Sequence, residues 1–225
     1  VYQCDLPAHG ITNLGKLRNR GVSYGQTFHV GLVSHMELSC DGDMMQLARW
    51  PNSGYATITA GSTTGMTFTY SGTPANESKW PNASDPWVHG FWNYDFYDQY
   101  LPVATFTVNN NRVTLDDPPG NPSILAGKRW QVCNLLEELD QANEYYIETQ
   151  VGNTYYGKLY FWPPANSVSG KEIVVSTVGE NSTSLVKLSG ASNLWFKGLT
   201  FEVSRFNAVE MQDCTSVVLD NCTIR

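Results

Sequence analysis

The residues best suited to chemistry lie between positions 92 and 98, where aromatic and acidic side chains are interleaved. Trp92 and Tyr94 offer ring faces on which a sugar can stack, and Asp95 and Asp98 offer carboxylates that accept hydrogen bonds from hydroxyl groups. This composition predicts a substrate-binding patch for carbohydrate. The alternative, in which both acids hydrogen-bond to the backbone of their own loop, stays open on the sequence alone.

A catalytic pair of acids is harder to find in the sequence. Hydrolysis of a glycosidic bond generally uses two carboxyl groups about 5–10 Å apart. Glu137 and Glu138 are adjacent on a predicted helix and point in different directions, so they are better explained as charges that favour a helix N-terminus. The sequence therefore assigns no catalytic residue to this chain.

Residue types that often bind ligands in other proteins are scattered along this sequence. Arg49 precedes Trp50 and either binds an acidic sugar or, as we favour, stacks on that ring and ties down the following turn. The histidines stand at positions 9, 29, 35 and 89, without the spacing of metal ligands. We predict no metal site and no cofactor.

The charge distribution excludes two classes of partner. The 225 residues carry a formal net charge of −7, and the basic residues cluster only at Lys16, Arg18 and Arg20, so we predict no nucleic-acid binding. No run of about 18 apolar residues occurs, and therefore no membrane span is predicted.

The compartment is indicated by glycosylation signals. Asn-x-Ser/Thr sequons occur at Asn76, Asn82, Asn181 and Asn221, which predicts a secreted, extracellular glycoprotein. There are five cysteines, an odd number; Cys4 and Cys40 stand in predicted strands and are a candidate disulfide. A reduced, buried thiol is the alternative for each cysteine, and for Cys133 it is the preferred one.

Short alternating segments separated by Gly, Pro, Asn and Asp predict an all-β fold rich in hairpins. Asp41-Gly42 predicts a tight hairpin turn, and residues 144–148 and 157–162 predict a second hairpin. Residues 60–86 read as a long loop with one strand at 66–70. One short helix is predicted at 134–140, with Asn134 as its N-cap.

The most specific pattern is a repeat near the C-terminus. Residues 186–201 and 209–224 align without a gap at an offset of 23, with seven apolar positions in common. A period in the twenties with three short strands is typical of a β-solenoid coil. Gly198 and Asn221 fall at the same turn, where both residue types tolerate left-handed backbone angles. Residues 173–175 are predicted to be an earlier strand of the same stack.

Five segments, in the same order, carry a resemblance to a known group of proteins. They are Asp5-Leu6 with Gly10-Ile11-Thr12, Leu47–Asn52, Gly90–Asp95, Asn134–Asp140 and Gly157–Pro164. The chain resembles the secreted right-handed parallel β-helix proteins of the pectate-lyase-like superfamily, and within them a glycoside-hydrolase-like branch with a β-rich insertion. The resemblance implies that the β-helix continues beyond this chain and that catalytic acids, where present, lie on later coils.

Two hypotheses of function follow. In both, residues 1–165 form a β-hairpin-rich insertion and residues 166–225 the first coils of a right-handed parallel β-helix. In the first, the chain is part of a secreted hydrolase or lyase relative that acts on an extracellular polysaccharide or glycan. In the second, it is a non-catalytic, glycosylated structural or adhesion module that self-assembles through the ends of its β-helix.

Overall fold

The computed structural model describes residues 1–17, 35–121, 123–178 and 184–225, and within them the chain is all-β, as predicted. Short 3-10 helices stand at Pro7–His9, Glu77–Asn82, Val108–Asn110, Leu136–Glu138 and Pro164–Asn166. The strands in chain order are β1 Tyr2–Asp5, β2 Leu38–Cys40, β3 Asp43–Met44, β4 Gln46–Leu47, β5 Arg49–Trp50, β6 Ala56–Gly61, β7 Thr67–Tyr70, β8 Trp87–Gly90, β9 Gln99–Thr107, β10 Arg112–Leu115, β11 Arg129–Cys133, β12 Glu144–Ile147, β13 Lys158–Trp162, β14 Ile173–Val175, β15 Val186–Ser189, β16 Ser192–Lys197, β17 Thr200–Phe201, β18 Val209–Gln212, β19 Thr215–Asp220 and β20 Thr223–Ile224.

Six consecutive strands, β6 to β11, close into an antiparallel barrel. The order β11-β6-β7-β10-β9-β8 returns to β11 because β8 and β11 also pair, in the register His89↔Gln131. Alternate side chains point inward, and the interior holds a core that includes Trp80, Trp92 and Trp130, all fully buried. A closed barrel of this size is filled by its own side chains.

The barrel is inserted between two neighbouring strands of a second sheet. That sheet has the order β1-β13-β12-β4, and its strands β4 and β12 pair in parallel, with Gln46 opposite Glu144. The chain leaves β4, enters the barrel through β5, and returns from β11 to β12. Because β5 pairs with β11, Arg49 lies opposite Cys133, and the two ends of the insertion are adjacent.

The second sheet has a core separate from that of the barrel. This core contains Leu38, Tyr145 and Phe161 and is shared with the small sheet β14-β2-β3. The hairpin at Asp41-Gly42 is confirmed: β2 and β3 pair across these two residues, whose φ angles are 53° and 80°. The predicted hairpin at 144–162 is also confirmed, as the antiparallel pair β12–β13.

The 23-residue repeat forms two stacked coils of three short strands. β15, β16 and β17 pair in parallel with β18, β19 and β20, in registers such as Val186↔Val209 and Phe201↔Ile224. Gly198 and Asn221 both adopt left-handed angles, with φ of 67° and 50°. A right-handed parallel β-helix with further coils, and a domain boundary at 165/166, stay predictions.

Three predictions of local structure are wrong. Ile173–Val175 pairs antiparallel with β2 and is not a strand of the coil stack. A short apolar run of this kind fits either type of sheet. The short helix predicted at 134–140 is present as a single 3-10 turn at Leu136–Glu138, but the N-cap assigned to Asn134 is wrong: the cap residue is Leu135, and Nδ2 of Asn134 donates to the carbonyl of Asp85. The thiols of Cys4 and Cys40 are free, not a disulfide, because both pack as apolar side chains in the core of the second sheet.

The predicted loop 60–86 is more ordered than expected. β6 extends to Gly61, β7 covers Thr67–Tyr70, and a 3-10 helix covers Glu77–Asn82. This helix is held down by Trp80, whose ring is buried in the barrel and whose Nε1 donates to the buried carboxylate of Glu138 at 2.6 Å. The thiol of Cys133 is buried and free, as preferred from the sequence.

Candidate functional site

A line of polar side chains crosses the outer face of the barrel. His89 on β8 and Gln131 on β11 are paired in register and point away from the interior, where their neighbours Val88, Trp130 and Val132 lie. Arg49 on β5 continues the line, because its Nη1 donates a short hydrogen bond to Oε1 of Gln131.

The direction of each hydrogen bond in this line is fixed by Arg49. A guanidinium only donates, so the amide oxygen of Gln131 faces it and the amide nitrogen donates to Nδ1 of His89 at 3.3 Å. Nδ1 of His89 is therefore the acceptor, and Nε2–H donates to Asp98 Oδ2 at 2.7 Å. Both ring nitrogens are occupied, so His89 orders this face and is not a free general base.

Next to this line, an aromatic surface is formed by Tyr55, Phe91, Tyr94 and Phe96. Tyr94 and Phe96 are 46% and 86% exposed and stack on each other with ring centroids 5.3 Å apart and an interplanar angle of 21°. Phe91 meets Tyr55 edge-on at 5.7 Å. Exposed rings at this density are uncommon on a protein surface and offer faces for stacking.

Arg129 and Lys128 connect the Tyr55–Phe91 pair of rings with the loop that carries Tyr94 and Phe96. The guanidinium of Arg129 lies 3.8 Å from the ring centroid of Phe91, and its Nη2 donates to the carbonyl of Asp95 at 3.3 Å. Lys128 contacts the Asp95 carboxylate at 3.1 Å. The loop that carries Tyr94 and Phe96 is thereby attached to β11, which keeps the four rings on one face.

The four residues predicted to bind substrate lie in different environments. Trp92 is fully buried against Phe68 in the barrel core, so its assignment to a binding patch is wrong: the chain leaves β8 after Gly90 and turns this ring inward. Tyr94 lies on the aromatic surface. Asp95 and Asp98 lie beside it but pair with Lys128 and His89, not with loop backbone.

Sequence reasoning missed the residues that organise this face. Tyr55, His89, Arg129 and Gln131 carry most of its contacts, and none was proposed. The signal was the alternation in Arg129-Trp130-Gln131-Val132, which is typical of a strand with one buried face. Reading that strand would have placed Arg129 and Gln131 together on the outside.

Two buried carboxylates elsewhere hold a core side chain and a backbone turn. Burial raises the pKa of Glu138, whose carboxylate accepts the Trp80 indole N–H. Burial also raises the pKa of Glu144 to about 7, and that side chain accepts the backbone N–H groups of Asp140 and Gln141. Each has partners within its own turn or core, so we assign them to structure and not to catalysis.

The sequons are distributed over several surfaces. Asn82 and Asn221 are exposed, the second in a turn of the coils. Asn76 is half-buried, and its Oδ1 accepts a hydrogen bond from Lys79 Nζ at 2.9 Å. Asn181 lies outside the described residues. Glycosylation at all four positions stays a prediction.

The described part of the chain offers neither a metal site nor a membrane-spanning helix. Within the described ranges, no three His, Cys, Asp or Glu side chains are grouped so that they would hold a metal ion. None of the helices in that part of the chain is long and apolar enough to cross a membrane.

Comparison with known proteins finds a match by structure and none by sequence. No family model and no curated protein matches the chain. Among solved structures, a protein described as "Glycoside hydrolase" matches over 85% of this chain with a TM-score of 0.59 and 14% sequence identity. The match covers 36% of that protein, so this chain spans about a third of its length. At this identity the likeness concerns the fold: the chain shares the all-β architecture of part of a glycoside hydrolase.

Proposed function

We propose that this chain is part of a secreted carbohydrate-active protein and that its aromatic surface binds an extracellular polysaccharide. The observation that carries the proposal is the exposed pair Tyr94 and Phe96, held beside Tyr55 and Phe91 by Arg129. The fold likeness to a glycoside hydrolase supports the same class of ligand. In this proposal the two coils belong to a right-handed parallel β-helix, and catalytic acids stand on coils outside this chain.

Flat aromatic rings offer a stacking surface for the faces of sugars. A pyranose ring presents C–H groups on one side and hydroxyl groups at its edge, so stacking and edge hydrogen bonds act together. Asp95, Asp98 and Lys128 lie at the margin of the rings and can serve those hydroxyl groups. With the guanidinium of Arg129, which donates to the carbonyl of Asp95, these side chains carry two negative and two positive charges, which favours a neutral polysaccharide at this surface.

The test is affinity electrophoresis of the purified protein in gels that contain single soluble polysaccharides, such as xylan, glucomannan or pectin. The double variant Tyr94→Ala/Phe96→Ala should bind the retained polysaccharide about a hundredfold more weakly or worse, since each aromatic ring that a sugar buries contributes roughly 1.5–3 kcal/mol. Tyr155→Ala is the matched control: its ring is 55% exposed on the turn between β12 and β13, away from the aromatic surface.

The two variants separate the possible outcomes. Loss of retardation in the double variant alone supports the aromatic surface as the binding site. Equal retardation of wild type and double variant, or retardation by none of the polysaccharides, would contradict it.

A second candidate function is assembly through the coils. Apolar side chains of the coils are exposed, among them Leu199 at 44%, Met211 at 40% and Ile224 at 55%. A structural or adhesion module would cover these positions with a second copy. Sedimentation velocity across a hundredfold range of concentration distinguishes the two: a concentration-dependent dimer that Met211→Glu abolishes supports assembly, and a monomer throughout argues against it.

A further inference from the structure

One of the seven tryptophans faces solvent, and it stands on the coils, not on the barrel. Trp195 is 68% exposed, whereas the other six are buried or half-buried. On β16 it lies between Leu194 and Phe196, which are half-buried, and the ring of Phe196 meets that of Phe201 inside the coils at 6.4 Å. Because side chains alternate along a strand, the indole of Trp195 projects from the outer face of the coils.

The outer face of β16 is not a surface that stacked coils cover. Parallel coils meet through the backbone edges of their strands, as β16 and β19 do, with Trp195 opposite Val218. A coil paired to either edge extends this face sideways and does not lie over it. The exposure of the Trp195 ring therefore does not require an unpaired coil edge.

The surroundings of the ring are polar and electrically neutral. Nζ of Lys197 lies 5.9 Å from the centroid of the Trp195 ring and 3.3 Å from the carboxylate of Asp220, to which it is paired. Val218, 45% exposed, is the apolar neighbour on the adjacent strand. Short, exposed polar side chains stand at the starts of the two strands, namely Ser192, Asn193, Thr215 and Ser216.

The size and composition of this patch fit a sugar ring better than they fit another protein. Only Trp195 and Val218 are apolar on this face of β16 and β19, whereas a stable protein interface buries about 800 Å² on each partner. An indole presents a flat face on which the C–H groups of a pyranose can stack. Its Nε1–H and the Lys197–Asp220 pair at its margin can serve the hydroxyl groups at the edge of the sugar.

We propose that Trp195 is a second carbohydrate-stacking site, which holds one neutral sugar residue of the polysaccharide that the aromatic surface binds. The ligand class rests on the proposed function, while the exposed ring and its polar margin are independent of it. A neutral sugar is favoured because Lys197 and Asp220 neutralise each other. Two sites on one chain raise the affinity for a long polysaccharide above that for a short oligosaccharide.

The indole supplies a direct signal, because quenching of tryptophan fluorescence by acrylamide acts mainly on exposed rings. The whole chain is produced without glycans, so that the sequon at Asn221, next to Asp220, carries no sugar of its own. It is then titrated with xylohexaose, mannohexaose and cellohexaose, and with hexagalacturonate as the charged comparison. A bound neutral sugar should lower the quenching constant towards that of Trp195→Phe, which has lost the exposed indole.

Two substitutions of the ring test its contribution to binding, by affinity electrophoresis in the polysaccharide gels. Trp195→Ala should bind the retained polysaccharide about tenfold more weakly or worse, since it loses the ring that a sugar buries. Trp195→Phe keeps a stacking face and should bind more tightly than Trp195→Ala. Tyr155→Ala is again the matched control, and circular dichroism with the thermal midpoint establishes that each variant is folded.

Protection of the indole by a neutral hexasaccharide, together with weaker retardation of Trp195→Ala than of Trp195→Phe, supports the proposal. Absence of protection by every neutral hexasaccharide, stronger protection by hexagalacturonate, or unchanged retardation of Trp195→Ala would overturn it. A concentration-dependent dimer that Trp195→Ala abolishes would also overturn it, because the ring would then belong to a protein interface.

The Tyr94→Ala/Phe96→Ala variant separates the two sites, because it keeps Trp195. If the aromatic surface binds no polysaccharide, protection of the indole should be the same in this variant as in wild type. If the site at Trp195 fails, protection is absent from both proteins while the double variant still loses retardation.

Discussion

Replacing Glu144 by glutamine should change how the stability of the protein depends on pH. Glu144 stands on β12, fully buried, and its Oε2 accepts backbone N–H groups of Asp140 and Gln141 at 3.2 and 3.3 Å. Burial raises the pKa of its carboxyl from 4.5 to about 7, and the nearby charge of Asp140 adds to this. The folded state therefore holds this proton more tightly than the unfolded chain does.

The direction of the pH dependence follows from the linkage between proton binding and folding. A carboxyl with a raised pKa in the folded state contributes its full stability below the unfolded value of 4.5, and this contribution is lost as pH rises to about 7. At 1.36 kcal/mol for each unit of pKa, the loss for a buried group is on the order of 3 kcal/mol. Glutamine has no proton to lose, and its amide can still accept the two backbone N–H groups. The variant should therefore gain stability relative to wild type between these pH values.

The assay is urea unfolding followed by circular dichroism at pH 4.5, 6, 7 and 8, with the free energy extrapolated at each pH for the transition that unfolds the second sheet. The difference between Glu144→Gln and wild type should grow by about 3 kcal/mol from the lowest to the highest pH. Glu172→Gln, an exposed carboxylate on the same chain, is the control and should follow wild type. Parallel curves for Glu144→Gln and wild type would refute the reasoning, because they would mean that Glu144 ionises alike in both states.

Substitutions at three further positions test packing and backbone geometry by the midpoint of chemical unfolding. Glu138→Leu leaves the buried indole N–H of Trp80 without its acceptor and should cost about 1–3 kcal/mol; an unchanged midpoint would show that the bond contributes nothing. Gly61→Ala places a Cβ 1.9 Å from the carbonyl oxygen of Ile124 and should cost about 1–3 kcal/mol, whereas tolerance would mean that β6 shifts freely. Gly198→Val, at φ 67°, should cost about 1–2 kcal/mol, while Gly198→Asn should cost less; equal costs would argue against backbone strain at this turn.

The coils and the hairpins were predictable because each depends on residues close in sequence. The pairing of residue i with i+23 follows from one coil length, and Asp41-Gly42 permits a two-residue turn in which both φ angles are positive. The coils contain two more repeated left-handed positions, Gly190 with Asp213 in a turn and Asn193 with Ser216 near the starts of β16 and β19. These were present at the same 23-residue offset but do not stand out by residue type.

The barrel and its surface were not predictable by the same reasoning. Closure depends on the pairing of β8 with β11, which are about forty residues apart and carry no shared pattern that specifies a partner. The direction of Trp92 depends on where β8 ends, and sequence reasoning places such boundaries only to within a few residues. Ile173–Val175 was misplaced for a related reason, since three apolar residues fit an antiparallel edge as well as a coil.

The insertion of the barrel into the second sheet affects how the protein unfolds. Its strands are contiguous in sequence, its two ends are joined through β5 and β11, and its core is separate from that of the second sheet. A lesion in the barrel core reaches the β4–β12 ladder through a small contact, in which Leu47 on β4 packs against Trp87 on β8 and Cys133 on β11. The ladder can therefore persist while the segment between its two strands is disordered. We expect two melting events instead of one, and a protein whose enclosed module can be lost, exchanged or duplicated while the surrounding sheet stays intact.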